Sequence, residues 1–131
     1  MIRKFHVTQY AAIFNKKCLL LLKDSDRIKG TWCFPGGHVD LETDPIKALG
    51  RELNEELGVK LIKAALFNTA IKKYPSGKWK YVVYYKCLVK GSIKLSHEHS
   101  EYKWICLKDL KSMTFRDAHE RQLIITLLKD G

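Results

Sequence analysis

Residues 36 to 59 read GGHVDLETDPIKALGRELNEELGV, and within them Arg51-Glu52-Leu53-Asn54-Glu55-Glu56-Leu57-Gly58-Val59 sets three carboxylates on one predicted helix. Residues three and four apart are neighbours on a helical surface, so Glu52 faces both Glu55 and Glu56. Like charges so placed repel by roughly a few tenths of a kcal/mol per pair in an isolated helix. A hard divalent cation, such as magnesium, is the usual means of holding clustered carboxylates together.

The helix has legible ends. Asp44 is a good N-cap and Pro45 suits the first helical position. Gly58 fits the residue just past the end, where a left-handed backbone is often needed. Ile46, Leu49, Leu53 and Leu57 recur at helical spacing and predict a stripe that packs on a sheet. Glu52, Glu55 and Glu56 then project away from the centre of that face, and Arg51 can pair with Glu55 or with the preceding loop. Before the helix, Trp32-Cys33-Phe34-Pro35-Gly36-Gly37 is a short apolar run ending in Pro-Gly-Gly. Glycines let a backbone approach a ligand closely, so a carbonyl here could complete a cation's oxygen shell beside the glutamates.

These residues resemble the Nudix box, whose pattern is Gly-x5-Glu-x7-Arg-Glu-U-x-Glu-Glu-x-Gly-U with U a bulky aliphatic residue. With Gly37 as the opening glycine, Arg51, Glu52, Leu53, Glu55, Glu56, Gly58 and Val59 fall in register over 23 residues. Phe34-Pro35-Gly36-Gly37 resembles the family's lead-in. A solvated helix face is the ordinary explanation of three glutamates, but it does not account for so many positions in register. The resemblance implies an α/β fold, an α/β/α sandwich with a mixed β-sheet. It implies a metal-dependent hydrolase that cleaves a diphosphate linkage in a nucleotide or dinucleotide substrate, nucleoside triphosphates included. Mg2+ or Mn2+ would be held by Glu52, Glu55, Glu56 and the Gly36 carbonyl, with Arg51 orienting the glutamates. A loop glutamate before a late strand often adds a metal ligand or general base in this family. Glu98 and Glu101 are the candidates, and Glu98 is preferred because Glu101 adjoins the strand start. His97 and His99 nearby read as surface histidines.

One position departs from the pattern. Thr43 stands where the family has its first glutamate, which mainly supports the box arginine; Glu42 and Asp44 flank it. The metal-binding glutamates are intact and the support is altered. A nucleotide-binding or sensor domain on the Nudix fold, with weakened catalysis, is therefore the alternative to a hydrolase.

The remaining composition sets bounds. The chain has 131 residues and is 46% hydrophobic, which predicts a single domain spanning residues 1–131 with a real core. No run approaches the roughly 18 apolar residues of a membrane span. Met1-Ile2-Arg3-Lys4 is not followed by a secretory-type apolar segment, so a cytoplasmic protein is expected. Cysteines 18, 33, 87 and 106 lie in apolar stretches without zinc-type spacing and read as buried free thiols in a reducing compartment. Net charge is +10, and its distribution is uneven. Leu41 to Gly58 is net −3, whereas Leu57 to His97 holds nine lysines and no acidic residue after the helix. An acidic metal site beside a basic segment suits a polyphosphate. A nucleic-acid surface is a further reading on charge alone, for which lysine content is a weak signal. Both a monomer and a homodimer are compatible with the sequence.

Element order follows from periodicity. Strands are predicted over His6–Phe14, Cys18–Leu22, Thr31–Phe34, Lys60–Ile71, Trp79–Val89 and Tyr102–Leu107, with a turn at Tyr74–Gly77 and a loop at Asp24–Gly30. Leu107–Lys111 reads as a helical turn and Phe115–Lys129 as a C-terminal helix. Tyr74 and Trp79, beside an exposed turn, are the candidates for stacking on a nucleobase. Lys23 and Arg27, before the glycine loop, are the candidates for meeting phosphate. Arg116 and Arg121 are explained by a helix surface.

Overall fold

Helix α1, Pro45–Leu57, has the ends its sequence predicts. The computed structural model describes residues 4–24, 30–39, 44–96 and 101–130. The Asp44 side chain accepts the N–H groups of Ile46 and Lys47 at 3.0 and 3.3 Å, satisfying donors that the first turn leaves open. Gly58 ends the helix with φ 68°, its N–H donating to the Asn54 carbonyl. The buried face is Ala48, Leu49, Leu53, Glu56 and Leu57. Ile46, expected on that stripe, is 40% exposed, because the whole first turn lies at the rim and burial begins at Ala48. Glu56, expected to point outward, is instead buried.

The strands are β1 (Phe5–Asn15), β2 (Cys18–Lys23), β3 (Trp32–Cys33), β4 (Gly36–His38), β5 (Lys60–Lys73), β6 (Trp79–Lys90) and β7 (Tyr102–Ile105). A 3-10 turn covers Leu107–Ser112, and α2 covers Ala118–Asp130. Strand β1 organises the mixed sheet. It runs parallel to β6 from Phe5↔Trp79 to Ile13↔Cys87, and β6 forms a long antiparallel hairpin with β5. On its other side β1 pairs first with β4 (Thr8↔His38, Tyr10↔Gly36) and then, past the fold-back at Lys16, with β2 (Phe14↔Leu19). Strand β2 carries β3 and β7. The strand β4 was expected to be loop; Gly36 and Gly37 have no side chains to signal a strand period, yet their backbone completes the β1 ladder.

Alternation along β1 divides the core. Tyr10 and Ala12 point to one face, with Val82, Tyr84, and Ile124 and Leu127 of α2. Ala11 and Ile13 point to the other, with Cys87 and the α1 leucines 49, 53 and 57. The helices thus cover opposite faces of one sheet, the α/β/α sandwich. Leu49, Leu53 and Leu57 are almost fully buried, and each such side chain contributes about 1.5–3 kcal/mol. Among the described residues no helix is long and apolar enough to cross a membrane.

The cysteines depart from expectation in one pair. Cys18 and Cys106 are joined in a disulfide across a sequence separation of 88. The pairing Leu19↔Ile105 between β2 and β7 brings their neighbours Cys18 and Cys106 together, a proximity no sequence spacing reveals. Cys33 and Cys87 are buried free thiols, each pushed up to about 12 by burial. Cysteine usage therefore gives no ground for assigning a compartment.

Helix α2 is fastened by a charged cluster. It begins at Ala118 rather than Phe115, because Asp117 caps it: the Asp117 carboxylate accepts the Glu120 N–H at 2.8 Å. Lys72 of β5 donates to Asp117 at 2.9 Å and to the Tyr84 hydroxyl at 3.1 Å, and Tyr84 donates to Glu120 at 3.1 Å. Arg116 grips both Glu120 oxygens, at 3.2 and 3.1 Å, and lies over the Tyr10 ring. Its side chain is only 13% exposed, so it is not the helix-surface arginine the sequence suggested. Glu120 is 1% exposed, so the pairing satisfies a carboxylate that would otherwise be costly to bury. Burial works to raise the Asp117 pKa, but the Glu120 N–H and the Lys72 ammonium outweigh it and hold that carboxyl below its ordinary value. A depressed carboxylate stabilises the fold above the ordinary aspartate pKa, and that stability is lost as pH falls through the depressed value. Asp117→Asn keeps a capping side chain and removes the titration. It should flatten the decline of Tm with pH below about pH 4; an unchanged acid limb in thermal unfolding would contradict the assignment.

Candidate active site

Two of the α1 glutamates, Glu52 and Glu56, lie against the glycine strand. Pairing of β4 with β1 sets Gly36 beside Tyr10 and Gly37 beside Gln9, with flanking bonds from Ala11 N–H to the Pro35 carbonyl and from Val39 N–H to the Val7 carbonyl. Gly36 takes φ 142°, and a side chain there would collide with the Gln9 carbonyl. Its N–H donates to Glu56 Oε1 at 3.0 Å. At Gly37 an added Cβ would lie 2.8 Å from Glu52 Oε1, so the glycine makes room for that carboxylate. Glu52 and Glu56, one helical turn apart, therefore bracket the same glycine pair. Glu56 is 4% exposed, while Glu55 lies on the open side and pairs with Arg51 at 3.9 Å, one of the two partners expected for that arginine.

The C-terminal end of α1 is tied to the segment that follows β6. Lys94 N–H donates to the Leu57 carbonyl at 2.7 Å and Ser96 N–H to the Glu56 carbonyl at 3.0 Å. Glu98, with His97 and His99, lies outside the described residues, as do Arg27, Glu42 and Thr43. Glu101 is described: its carboxylate pairs with Lys23 at 3.1 Å, and its carbonyl accepts the Lys23 N–H. Lys23, expected to meet phosphate, thus spends its charge on a neighbouring carboxylate. Glu101 is in turn engaged across the β2–β7 junction.

Among the described residues no three His, Cys, Asp or Glu side chains converge closely enough to enclose a cation. The donors at hand are two carboxylates and backbone carbonyls of a glycine strand, all hard oxygen. That set fits magnesium, which usually keeps several waters and binds through one or two carboxylates together with substrate phosphates. It does not resemble a site that would enclose zinc in nitrogen and sulfur.

On the α2 face of the sheet lies a cavity of about 550 Å³, lined by Lys72, Lys73, Tyr74, Lys80, Arg116 and Asp117 among others. Lys80 stands 4.9 Å from the centre of the Tyr74 ring. His6 links this cavity to the glycine strand: its ring lies 6.4 Å from Tyr74 and 6.0 Å from His38, and His38 Nδ1 is 3.2 Å from Thr8 Oγ1. Trp79 is not in this cavity. It belongs to the opposite face of the sheet, edge-on to Phe5 at 6.4 Å with Lys73 5.5 Å from its ring centre. The sequence did not single out Lys72, Asp117 or Arg116 for this face. Alternation along β5, which separates Lys72 from Lys73, was the available signal for the first of them.

Known proteins resemble this chain in sequence and fold. The NUDIX domain family model matches residues 4–127. A nucleoside triphosphatase, NudI, of Klebsiella pneumoniae is 32% identical over 120 residues, covering 81% of this chain and 85% of that protein. An 8-oxo-dGTP diphosphatase of Buchnera aphidicola is 35% identical over 101 residues, covering 77% of this chain and 75% of its own length. The crystal structure of a MutT Nudix hydrolase from Burkholderia pseudomallei superimposes with a TM-score of 0.81 at 25% identity, covering 95% of this chain and 98% of that one. With its box in register on a helix clamped to a glycine strand, the chain belongs to the Nudix family and is a pyrophosphohydrolase.

Proposed function

We propose that the protein is a magnesium- or manganese-dependent hydrolase of nucleoside triphosphates or closely related nucleotides, cleaving a diphosphate linkage to give two phosphorylated products. The observation that carries this reading is the bracketing of Gly36–Gly37 by Glu52 and Glu56. Glu52, Glu56 and the Gly36 carbonyl would hold the cation, with Glu55 available from the exposed side of the same helix. When bound, a divalent ion supplies positive charge to the diphosphate oxygens and acidifies water.

The chain's own groups do the rest. The cavity around Tyr74 is of the size of small-molecule sites, and its lining offers Lys73 and Lys80 to a polyphosphate, with Lys72 and Arg116 engaged by Asp117 and Glu120. Tyr74 offers a ring for the base, steadied by Lys80. Arg51 fixes Glu55 through their ion pair. Glu55, or Glu98, orients the attacking water and takes its proton. Attack at phosphorus places the hydroxyl oxygen on one phosphoryl group and breaks the bridging P–O bond, and the departing phosphate leaves with the electron pair. Similarity to a nucleoside triphosphatase and an 8-oxo-dGTP diphosphatase favours a triphosphate over a nucleotide sugar.

A phosphate-release screen tests this, offering triphosphates, ADP-ribose, nucleotide sugars and dinucleoside polyphosphates with magnesium, manganese or chelator. Turnover of triphosphates that chelator abolishes is expected. Nucleotide binding with no turnover under any condition would point instead to the sensor reading that Thr43 raises. Glu52→Gln and Glu56→Gln should each lower kcat by at least about a hundredfold while the protein stays folded; retained turnover in both would contradict the metal assignment. Gly37→Ala displaces the Glu52 carboxylate without touching the core. It should weaken metal activation by about 10–100-fold, the size expected when a supporting contact of a ligand is lost, with Tm nearly unchanged. An unaltered magnesium dependence would show that Glu52 does not depend on this glycine.

A further inference from the structure

Among the described residues, the face of the sheet that carries α1 is not covered along its whole length. Where β1 begins, the strand register builds cross-strand rows on this face: Lys73–Trp79–Phe5 and Ile71–Tyr81–Val7. Alternation places these residues on the side of Ala11, Ile13 and Tyr85, which pack with α1 farther along the same strands. Phe5 and Tyr81 are each 38% exposed, Val7 40% and Ile71 57%. Soluble surfaces rarely leave such a contiguous aromatic and aliphatic patch without a use. The patch meets the nucleotide cavity only at Lys73, at the end of β5, which reaches the rim of both; the cavity itself opens on the other face, through Tyr74 and Lys80.

Charge decides what can cover it. Strands β5 and β6 and their turn hold eight of the nine lysines between the box helix and Glu98, with no carboxylate among them. Lys73 sits over the Trp79 ring, and Lys78 stands exposed in the turn beside it. A second copy of this chain would bring like charge against like. A partner offering flat rings and negative charge at regular intervals matches both features. We propose that this face binds single-stranded nucleic acid, with bases stacked on Phe5, Trp79 and Tyr81 and phosphates met by Lys73 and Lys78. Aromatic side chains serve any base because every base has a π-face, and lysines along the strand follow the backbone without reading sequence. The activity is separate from hydrolysis: it uses none of Glu52, Glu55 or Glu56.

Fluorescence anisotropy with labelled oligouridylate and oligothymidylate of about 12 nucleotides, in chelator so that no hydrolysis intervenes, tests the proposal. Single strands should bind more tightly than a duplex of the same length. Affinity should fall between about 50 and 200 mM salt with a log–log slope of roughly −1.4, as expected for the two phosphate contacts of Lys73 and Lys78. Phe5→Ser and Tyr81→Ser should each weaken binding by about tenfold with unchanged thermal unfolding. Should either variant unfold, Lys78→Gln, on an exposed side chain of the turn that does not line the nucleotide cavity, carries the test and should lower the salt slope by about 0.7. Glu52→Gln and Glu56→Gln should bind as the natural chain does. The proposal is overturned by absent binding, by variants with full affinity, by anionic vesicles competing as well as the oligonucleotide, or by a dimer that Tyr81→Ser dissolves.

Discussion

A single hydrogen bond, from the Gly36 N–H to the buried Glu56 carboxylate, fixes the box helix against the strand that must face it. A carboxylate with 4% exposure needs a partner, and this one finds it in the backbone. The partner exists only because Gly36 can adopt a positive φ beside the Gln9 carbonyl. Strand β4 is thereby held between β1 and α1. Glu52 takes its place beside Gly37 as a consequence, since the helix can neither rotate nor slide without breaking the Glu56 bond or lifting Leu49, Leu53 and Leu57 from the sheet.

The sheet then divides the chemistry. One face carries the acidic helix, and the other carries a cavity with lysines and an arginine. Strand β1 serves both, with Gln9 and Ala11 toward α1 and Thr8 and Tyr10 toward α2. The charged cluster of Lys72, Tyr84, Arg116, Asp117 and Glu120 secures α2, and its Lys72, Arg116 and Asp117 also line that cavity. Burial works to lower the Arg116 pKa, but the adjacent Glu120 carboxylate outweighs it and keeps the guanidinium charged. A polyphosphate bridging from the cavity toward the glycine strand would meet cations from the protein at one end and carboxylates calling for a metal at the other.

Much of this was legible in the sequence where a residue type has a single physical use. Asp44, Pro45 and Gly58 announced the helix and its ends, and the spacing of Arg51, Glu52, Glu55, Glu56 and Gly58 announced the family. The long strands followed from β-branched and aromatic runs. Four things were hidden for physical reasons. Glycines leave no side-chain period, so β4 looked like loop. Residues distant in sequence meet only through strand pairing, so the Cys18–Cys106 bond and the Lys72–Asp117 pair had no local signal. Arg116 looked like a surface residue because only the fold supplies the buried carboxylate that makes its burial favourable. Tyr74 and Trp79 flank one turn, yet strand alternation sends them to opposite faces, which the turn alone does not show.

The divalent cation proposed to bind between Glu52, Glu56 and the glycine strand can be located directly. Titration of Mn2+ into isotope-labelled protein, followed by paramagnetic loss of amide signals, locates it without reference to any substrate. The account predicts that Gly36, Gly37 and residues 52–56 lose their signals first, and that Glu52→Gln and Glu56→Gln abolish this selectivity. Losses centred elsewhere, on Glu101 or Asp117 for example, or uniform broadening without a centre, would contradict it.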